Sequence, residues 1–332
     1  MPTCRQAGIF VIFCNIMKFT NEDIIKLASQ YNLGEIKTIE PVATSGNNSF
    51  IIIAESGKYF LRLCGERYRH RSIEEIEGEL DLLDKLKENN FPIIDYLKTK
   101  DGKRVISLEN FNGYLRKYVE GRFVTGNPAP EELIEVGKIL GKYHKIVENF
   151  KIDKRDKINF GLEETKKFFE DHKQEILQSN FKEAEKFVEV YSQEINKLSF
   201  SENLPQGMLH EDLGKRHVIW QDNKIIAIID FDRSYFGYLI LDLGQALRGW
   251  CFKDNWSNWS KENFKLFLQG YESERKLSEL ERQYLLSAIK FAILERALSF
   301  CLHYIYSKQP DLADEEFALE SLFRQIKEVQ IE

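Results

Sequence analysis

The chain has 332 residues, 43% of them hydrophobic and 30% charged, with a formal net charge of −6 and a pI near 5.7. That is the composition of a soluble globular protein long enough for two lobes, each with its own core; basic residues interleaved with acids leave no basic stripe for a nucleic acid. Cys4, Cys14, Cys64, Cys251 and Cys301 are odd in number, widely spaced and lack a C-x-x-C pair, which argues for free thiols in a reducing, cytoplasmic setting rather than a disulfide framework or a zinc site.

Residues 8–14 form an apolar run behind Arg5. It is too short to cross a membrane as a helix and no small-residue cleavage site follows it, so no membrane association is expected and residues 1–16 are set aside as a disordered or mis-started extension. Thr20 reads as an N-cap, with Glu22 and Asp23 in the first turn of a helix that runs to about Leu33, where Gly34 can stop it. Strand signals follow at Ile36 to Val42, Ser49 to Ala54 and Tyr59 to Cys64, separated by polar turns, and predict an antiparallel meander. Ser72-Ile73-Glu74-Glu75 is a capping box opening a helix with Ile76, Leu80, Leu83 and Leu86 on its apolar face. Glu79 shares that face, where a carboxylate is costly unless a cation meets it. Arg62, on the preceding strand, is the expected partner, and such a strand-cation to helix-Glu pair positions nucleotide phosphates in kinases.

Two further strands, Arg104 to Leu108 and Tyr114 to Val119, lead to a hinge at Glu120-Gly121. Residues 131–198 and 240–329 read as mostly helical, and no internal repeat or low-complexity linker is visible. The expectation is an α+β, two-lobed plan: a small antiparallel β-rich lobe over residues 17–119 and a mainly helical lobe over 120–332.

Between the helical stretches, His210 and Asp212 sit on a polar loop. Val218, Ile219 and Trp220 form a strand, Asp222-Asn223 a hairpin turn, and Ile225 to Ile229 a second strand ending in Asp230-Phe231-Asp232. Loop and strand end therefore deliver carboxylates to the same end of one hairpin. Phosphoryl transfer needs that arrangement: Asp212 to orient and deprotonate the attacking hydroxyl, Asp230 to hold the Mg²⁺ that neutralises nucleotide phosphates.

With these residues in place, the chain resembles the aminoglycoside phosphotransferase and homoserine kinase-like family, small-molecule kinases of the two-lobed protein-kinase fold. His210-x-Asp212 is similar to its catalytic loop, Asp230-Phe231-Asp232 to its metal triplet and Leu241-Asp242-Leu243 to its downstream Asp-Leu signature. Trp250-Cys251-Phe252, Gly270-Tyr271-Glu272 and the segment from Leu277 to Arg282 look like bacterial homoserine kinases of the non-classical type. The resemblance implies ATP and Mg²⁺. It assigns the base to Asp212, loop support to His210, and metal binding to Asp230 with His217 assisting; Asp232 either binds metal or braces the loop, and Asp242 is read as a brace. Phosphates are expected on Arg62 paired with Glu79 and on the turn containing Ser45, Gly46, Asn48 and Ser49. The backbone of Lys117, Tyr118 and Val119 is expected to receive the adenine.

Three departures stand out. His217 occupies the position where the family usually has Asn, although His also occurs there in the aminoglycoside 2''-phosphotransferase branch. Arg62 stands where many members have Lys, and the two are not interchangeable. Glu211 replaces the usual Gly beside the base, and must face away or meet a cation. The acceptor is expected to be a small-molecule hydroxyl, homoserine first, whose carboxylate would take Arg248 or Arg296. An aminoglycoside or other amino alcohol is the alternative acceptor; a Ser/Thr protein kinase and a non-catalytic pseudokinase are rivals of other classes. Oligomeric state is not readable from the sequence.

Overall fold

The computed structural model describes residues 19–42, 47–64, 71–156, 159–253, 256, 258–307 and 311–331. Helix α1 (Asn21–Ala28) opens on a capping box in which the Thr20 hydroxyl accepts the Asp23 N–H and the Asp23 carboxylate accepts the Thr20 N–H. It stops a turn earlier than its apolar pattern suggests. Beyond Ser29 the Gln30 and Tyr31 N–H groups bond back to Leu27 and Ala28, while the Leu33 carbonyl turns away to accept the Ser56 N–H at 3.0 Å.

Strands β1 (Ile36–Val42), β2 (Asn47–Ala54), β3 (Gly57–Cys64), β4 (Ile106–Leu108) and β5 (Phe111–Lys117) form a five-stranded antiparallel sheet in the order β1-β2-β3-β5-β4. Alternation along β3 sends Leu61 and Leu63 into a core with Phe19, Ile24, Leu27, Phe50, Ile52 and Leu115. Phe60 and Arg62 therefore stand on the opposite face. That face meets α2 (Ile73–Glu88), which starts at the predicted Ser72 capping box. β5 begins and ends earlier than expected, so Tyr118 and Val119 lie past the sheet, on the path to the helical part.

The remainder is α3 (Pro130–Val147), α4 (Leu162–Gln178), α5 (Ala184–Asn196), β6 (Gln206–Met208), β7 (Val218–Gln221), β8 (Lys224–Ile228), β9 (Phe236–Tyr238), α6 (Leu239–Cys251), the short strands β10 (Phe252–Lys253) and β11 (Asn258–Trp259), α7 (Lys261–Glu274), α8 (Glu279–Tyr306) and α9 (Leu312–Glu320), which continues into a π-helical turn at Ser321–Gln325. One large core runs beneath these helices and takes in Ile76, Leu80 and Leu83 of α2. No helix among the described residues is long and apolar enough to cross a membrane. Cys64, Cys251 and Cys301 are buried free thiols.

α3 and α7 approach at backbone distance through glycines. A Cβ at Gly137 would lie 2.0 Å from the Phe267 carbonyl oxygen, and one at Gly270 would lie 2.0 Å from that of Ile134. This closeness brings His144 of α3 between Tyr271 of α7 (Nδ1 to hydroxyl, 2.8 Å) and Asp242 of α6 (Nε2 to Oδ2, 3.1 Å). Gly270→Ala must push the helices apart, and we expect it to lower unfolding free energy by about 2–3 kcal/mol, readable as a drop in the urea midpoint at unchanged slope.

Candidate active site

The loop after β6 and the hairpin β7–β8 place His210, Asp212, His217, Asp230 and Asp232 together. The hairpin turn is at Asp222, with φ 51°, and the hairpin is anchored to the rest of the molecule by Ile228 N–H to the Pro92 carbonyl (2.8 Å) and by reciprocal bonds between Arg122 and Trp220 (2.8 and 2.9 Å). Besides Asp222, two more non-glycine residues in the left-handed region lie here, Glu211 at φ 71° and Asp230 at φ 74°. Such conformations persist only where surrounding contacts hold them. The φ of Glu211 also explains why a glycine suits that position.

Asp242, in the first turn of α6, supplies the contacts that hold Glu211. Its Oδ2 accepts the His210 N–H and its Oδ1 the Glu211 N–H, both at 2.8 Å, while His144 lies against Oδ2. Burial opposes the charge on Asp242, but the His144 hydrogen bond and the loop amides hold its pKa below the ordinary carboxylate value. Asp242→Ala leaves two buried amides and an imidazole without an acceptor, and we expect a loss of about 3–5 kcal/mol, measured by urea unfolding. Since the folded pKa is depressed, this contribution is complete above pH ~4 and is lost as pH falls through the folded value.

His210 is a brace. Its Nε2 donates to the Ile229 carbonyl (3.1 Å), its Nδ1 accepts the Asp212 N–H (3.2 Å), and its ring lies 4.6 Å from that of Phe231. Burial holds its pKa below the usual value, so it is a neutral imidazole.

Asp212 is ringed by cations: Arg296 Nη2 at 3.0 Å from Oδ1, Arg216 Nη2 at 3.5 Å and His217 Nδ1 at 3.8 Å from Oδ2. Burial raises its pKa, but Arg296, His217 and Arg216 outweigh that and hold it well below the carboxylate range. It is a fixed anion, suited to orienting a hydroxyl and accepting its proton late in transfer. Glu211 turns its carboxylate to Arg233 and to Gln245 Nε2 (3.2 Å). Glu295 closes this network through Arg233 (2.8 Å), Gln245 (3.1 Å) and Arg296 Nε (3.2 Å). Burial pushes Glu211 up to about 7 against the pull of Arg233 and Arg296.

Arg62 does not pair with Glu79. Its Nη1 donates to Asp230 Oδ1 (2.6 Å) and its Nη2 to Asp232 Oδ2 (2.7 Å). Glu79 takes Arg71, with Nη2 and Oε2 2.6 Å apart, and the Tyr114 hydroxyl at 2.8 Å. The reason is geometric: Arg71 directly precedes the cap of the helix that carries Glu79, while Arg62 faces two carboxylates at once. Burial works against the charge of Glu79, and Arg71 overcomes it, so its pKa lies below the usual value.

The expected three-ligand set of Asp230, His217 and Asp232 is not assembled, and no group of three metal-ligating side chains occurs among the described residues. His217 spends Nδ1 on the Asp212 carbonyl and places Nε2 3.1 Å from Asp230 Oδ2. Burial lowers its pKa but Asp212 and Asp230 raise it above the ordinary value, and with both ring nitrogens engaged it is not poised as a ligand. The two carboxylates alone fit a hard cation. Asp230 is held far below the usual value, burial being overcome by Arg62 and His217, while burial and the Asp230 charge push Asp232 up. That pair is under-compensated, and Mg²⁺ characteristically needs only one or two carboxylates plus phosphate oxygens and water. Asp230 and Asp232 would hold it, and bound there it would neutralise phosphate charge.

For the nucleotide, the Lys117 N–H is spent on the Asp95 carbonyl (3.0 Å) and that of Tyr118 on Lys58 (2.9 Å), so the Val119 N–H is the donor of the three without a backbone partner among the described residues. Val119 packs with Ile94, Ile219, Ala227 and Ile229 in a small apolar cluster suited to one face of a purine. Ser45 and Gly46 lie outside the described residues. Asn48 and Ser49 are in β2 rather than a turn, opposite Leu63 and Arg62, and Ser49 is buried. Of the substrate candidates, Arg296 is committed to Asp212 and Glu295. Arg248 is buried on α6.

Arg155, absent from the sequence reading, ties α2 to the acidic turn by donating to the carbonyls of Glu75 (3.1 Å), Asp232 (2.7 Å) and Ser234 (2.7 Å). Nothing in its neighbouring sequence marks this role.

A five-stranded lobe over a helical one, with a buried Arg–Glu pair behind a carboxylate turn and a separate loop aspartate, defines a kinase-fold phosphotransferase. The chain belongs to the phosphotransferase enzyme family, whose sequence profile matches residues 38–277, and is a small-molecule phosphotransferase. It is 25% identical over 292 residues to a homoserine kinase of Sinorhizobium fredii (86% of this chain, 84% of that one). It is 27% identical over 289 residues to a homoserine kinase of Agrobacterium fabrum (86% and 85%). An amicoumacin kinase solved with AMP-PNP and Ca²⁺ superposes with a TM-score of 0.69 at 19% identity, covering 92% of this chain and 94% of that one, which shows the shared fold.

Proposed function

We propose that this chain transfers the γ-phosphoryl group of Mg-ATP to the hydroxyl of homoserine. The observation that carries the transfer is the placement of an ionised Asp212 on one loop and of Asp230 and Asp232 at the end of the adjoining hairpin. Asp212 orients the acceptor hydroxyl and receives its proton as the oxygen bonds to the γ-phosphorus and the bond to the ADP oxygen breaks. Arg62 moves from the two carboxylates to phosphate oxygens, and the Val119 N–H receives the adenine. His210 and Asp242 hold the loop in place, and residues 17–119 and 120–332 act as the two lobes that meet at the nucleotide.

Homoserine is supported by the homoserine kinases to which most of the chain is similar. The cations around Asp212 support it too, since Glu211 and Glu295, the acids a polycationic aminoglycoside would need, are already tied to Arg233 and Arg296. The buried reduced thiols suit a cytoplasmic enzyme. The test is ADP release by the purified protein with Mg-ATP, alone and with homoserine, an aminoglycoside or choline. Stimulation by homoserine is the expected result; stimulation by the aminoglycoside or choline alone overturns the acceptor, and Asp212-independent ADP release overturns the mechanism.

A further inference from the structure

Arg248 is 5% exposed on a helix whose every residue is buried. Its Nε and Nη2 have no hydrogen-bond partner among the described residues. What surrounds the guanidinium is aromatic, with Trp256 at 4.8 Å and Phe317 at 5.3 Å from ring centroids. Aromatic faces compensate a buried cation in part, but they leave its N–H groups unsatisfied, which is the expensive part of burial. Burial pushes its pKa down to about 9, helped by Arg296, while Glu295 and Asp212 pull the other way.

The position is informative as well. Trp250, two residues on, donates its indole N–H to the Leu213 carbonyl at 2.9 Å, so this turn of α6 rests on the loop that carries Asp212. Trp256 is itself held in place, its carbonyl accepting the Gln325 amide at 3.0 Å from the π-helical turn after α9. A side chain of Met or Leu would fill this space without leaving donors unpaired. An arginine on the turn of α6 that rests on the Asp212 loop, with no carboxylate partner among the described residues, has the chemistry of a carboxylate receptor, because its planar fork matches two carboxylate oxygens. Arg296 is already engaged near the base, its Nη2 on Asp212 and its Nε on Glu295, whereas the Arg248 Nε and Nη2 have no partner among the described residues.

We propose that Arg248 receives the carboxylate of the acceptor substrate, so that the enzyme selects a hydroxy acid whose hydroxyl reaches Asp212; this rests on the transfer reading above and names the group that decides specificity within it. The aromatic faces of Trp256 and Phe317 hold the guanidinium and keep water from competing for its donors.

The test compares two acceptors that differ by the carboxylate alone, L-homoserine and 3-aminopropan-1-ol, with the full chain and Mg-ATP. Wild type is expected to prefer homoserine in kcat/KM. In Arg248→Met that preference falls roughly 30- to 1,000-fold, carried by KM, while the melting temperature stays level or rises because an unpaired buried charge has gone. Arg248→Lys keeps the charge without the fork and falls between the two; it also serves if Arg248→Met does not fold. A preference unchanged in both variants overturns the role of Arg248 and leaves the transfer reading standing. No transfer to either acceptor by wild type overturns the acceptor class and this assignment with it.

Discussion

Asp212→Asn is expected to lower kcat by about 10³-fold, within the 10² to 10⁴ range for loss of a positioned base. The amide keeps the size of the carboxylate and one acceptor oxygen, but it cannot take the hydroxyl proton, and its charge no longer balances Arg296 at 3.0 Å and Arg216 at 3.5 Å. Nucleotide affinity should change little, because the adenine and phosphate contacts we propose lie on Val119 and the Asp230 side. Single-turnover phosphoryl transfer and an equilibrium titration with a fluorescent ATP analogue separate the two effects. A variant that binds nucleotide normally and turns over within tenfold of wild type would show that Asp212 is not the base.

Asp230→Asn should be as severe in rate but different in kind. A cation placed on the transferring phosphates contributes several kcal/mol of charge stabilisation, on the order of 10³-fold in rate. The neutral amide also releases Arg62 and His217 from their shared partner at 2.6 and 3.1 Å. The diagnostic is linkage between metal and nucleotide. In wild type, Mg²⁺ should tighten ATP binding, and in Asp230→Asn most of that dependence should vanish. If the variant keeps the wild-type Mg²⁺ dependence, the cation is held elsewhere.

The parts of this arrangement readable from the sequence are those built by neighbouring residues. The capping boxes at Thr20 and Ser72, the turn at Asp222-Asn223 and the delivery of Asp212 and Asp230 to one hairpin end are all local. The misreadings are long-range. Sequence shows that Glu79 needs a cation, but choosing Arg71 over Arg62 depends on which strand face meets the acidic turn, and that turn comes some 170 residues later, as the Arg62–Asp232 separation records. For the same reason Arg155 is invisible, since it gathers carbonyls from two distant segments. His217 looks like a ligand by position, yet a carbonyl at Asp212 and a carboxylate at Asp230 claim both ring nitrogens. Helix α1 ends early because a tertiary bond from Ser56 draws off the Leu33 carbonyl, which no helix propensity anticipates.

The bridge from Arg62 to Asp230 and Asp232 makes the empty-handed enzyme its own counter-ion. Free Mg²⁺ would have to displace a guanidinium that is tethered to the same fold and so cannot diffuse away, whereas Mg-nucleotide would bring oxygens on which that guanidinium could settle. Loading is thus an exchange of partners rather than the filling of a charged void. On this proposal the metal would enter in company with the nucleotide.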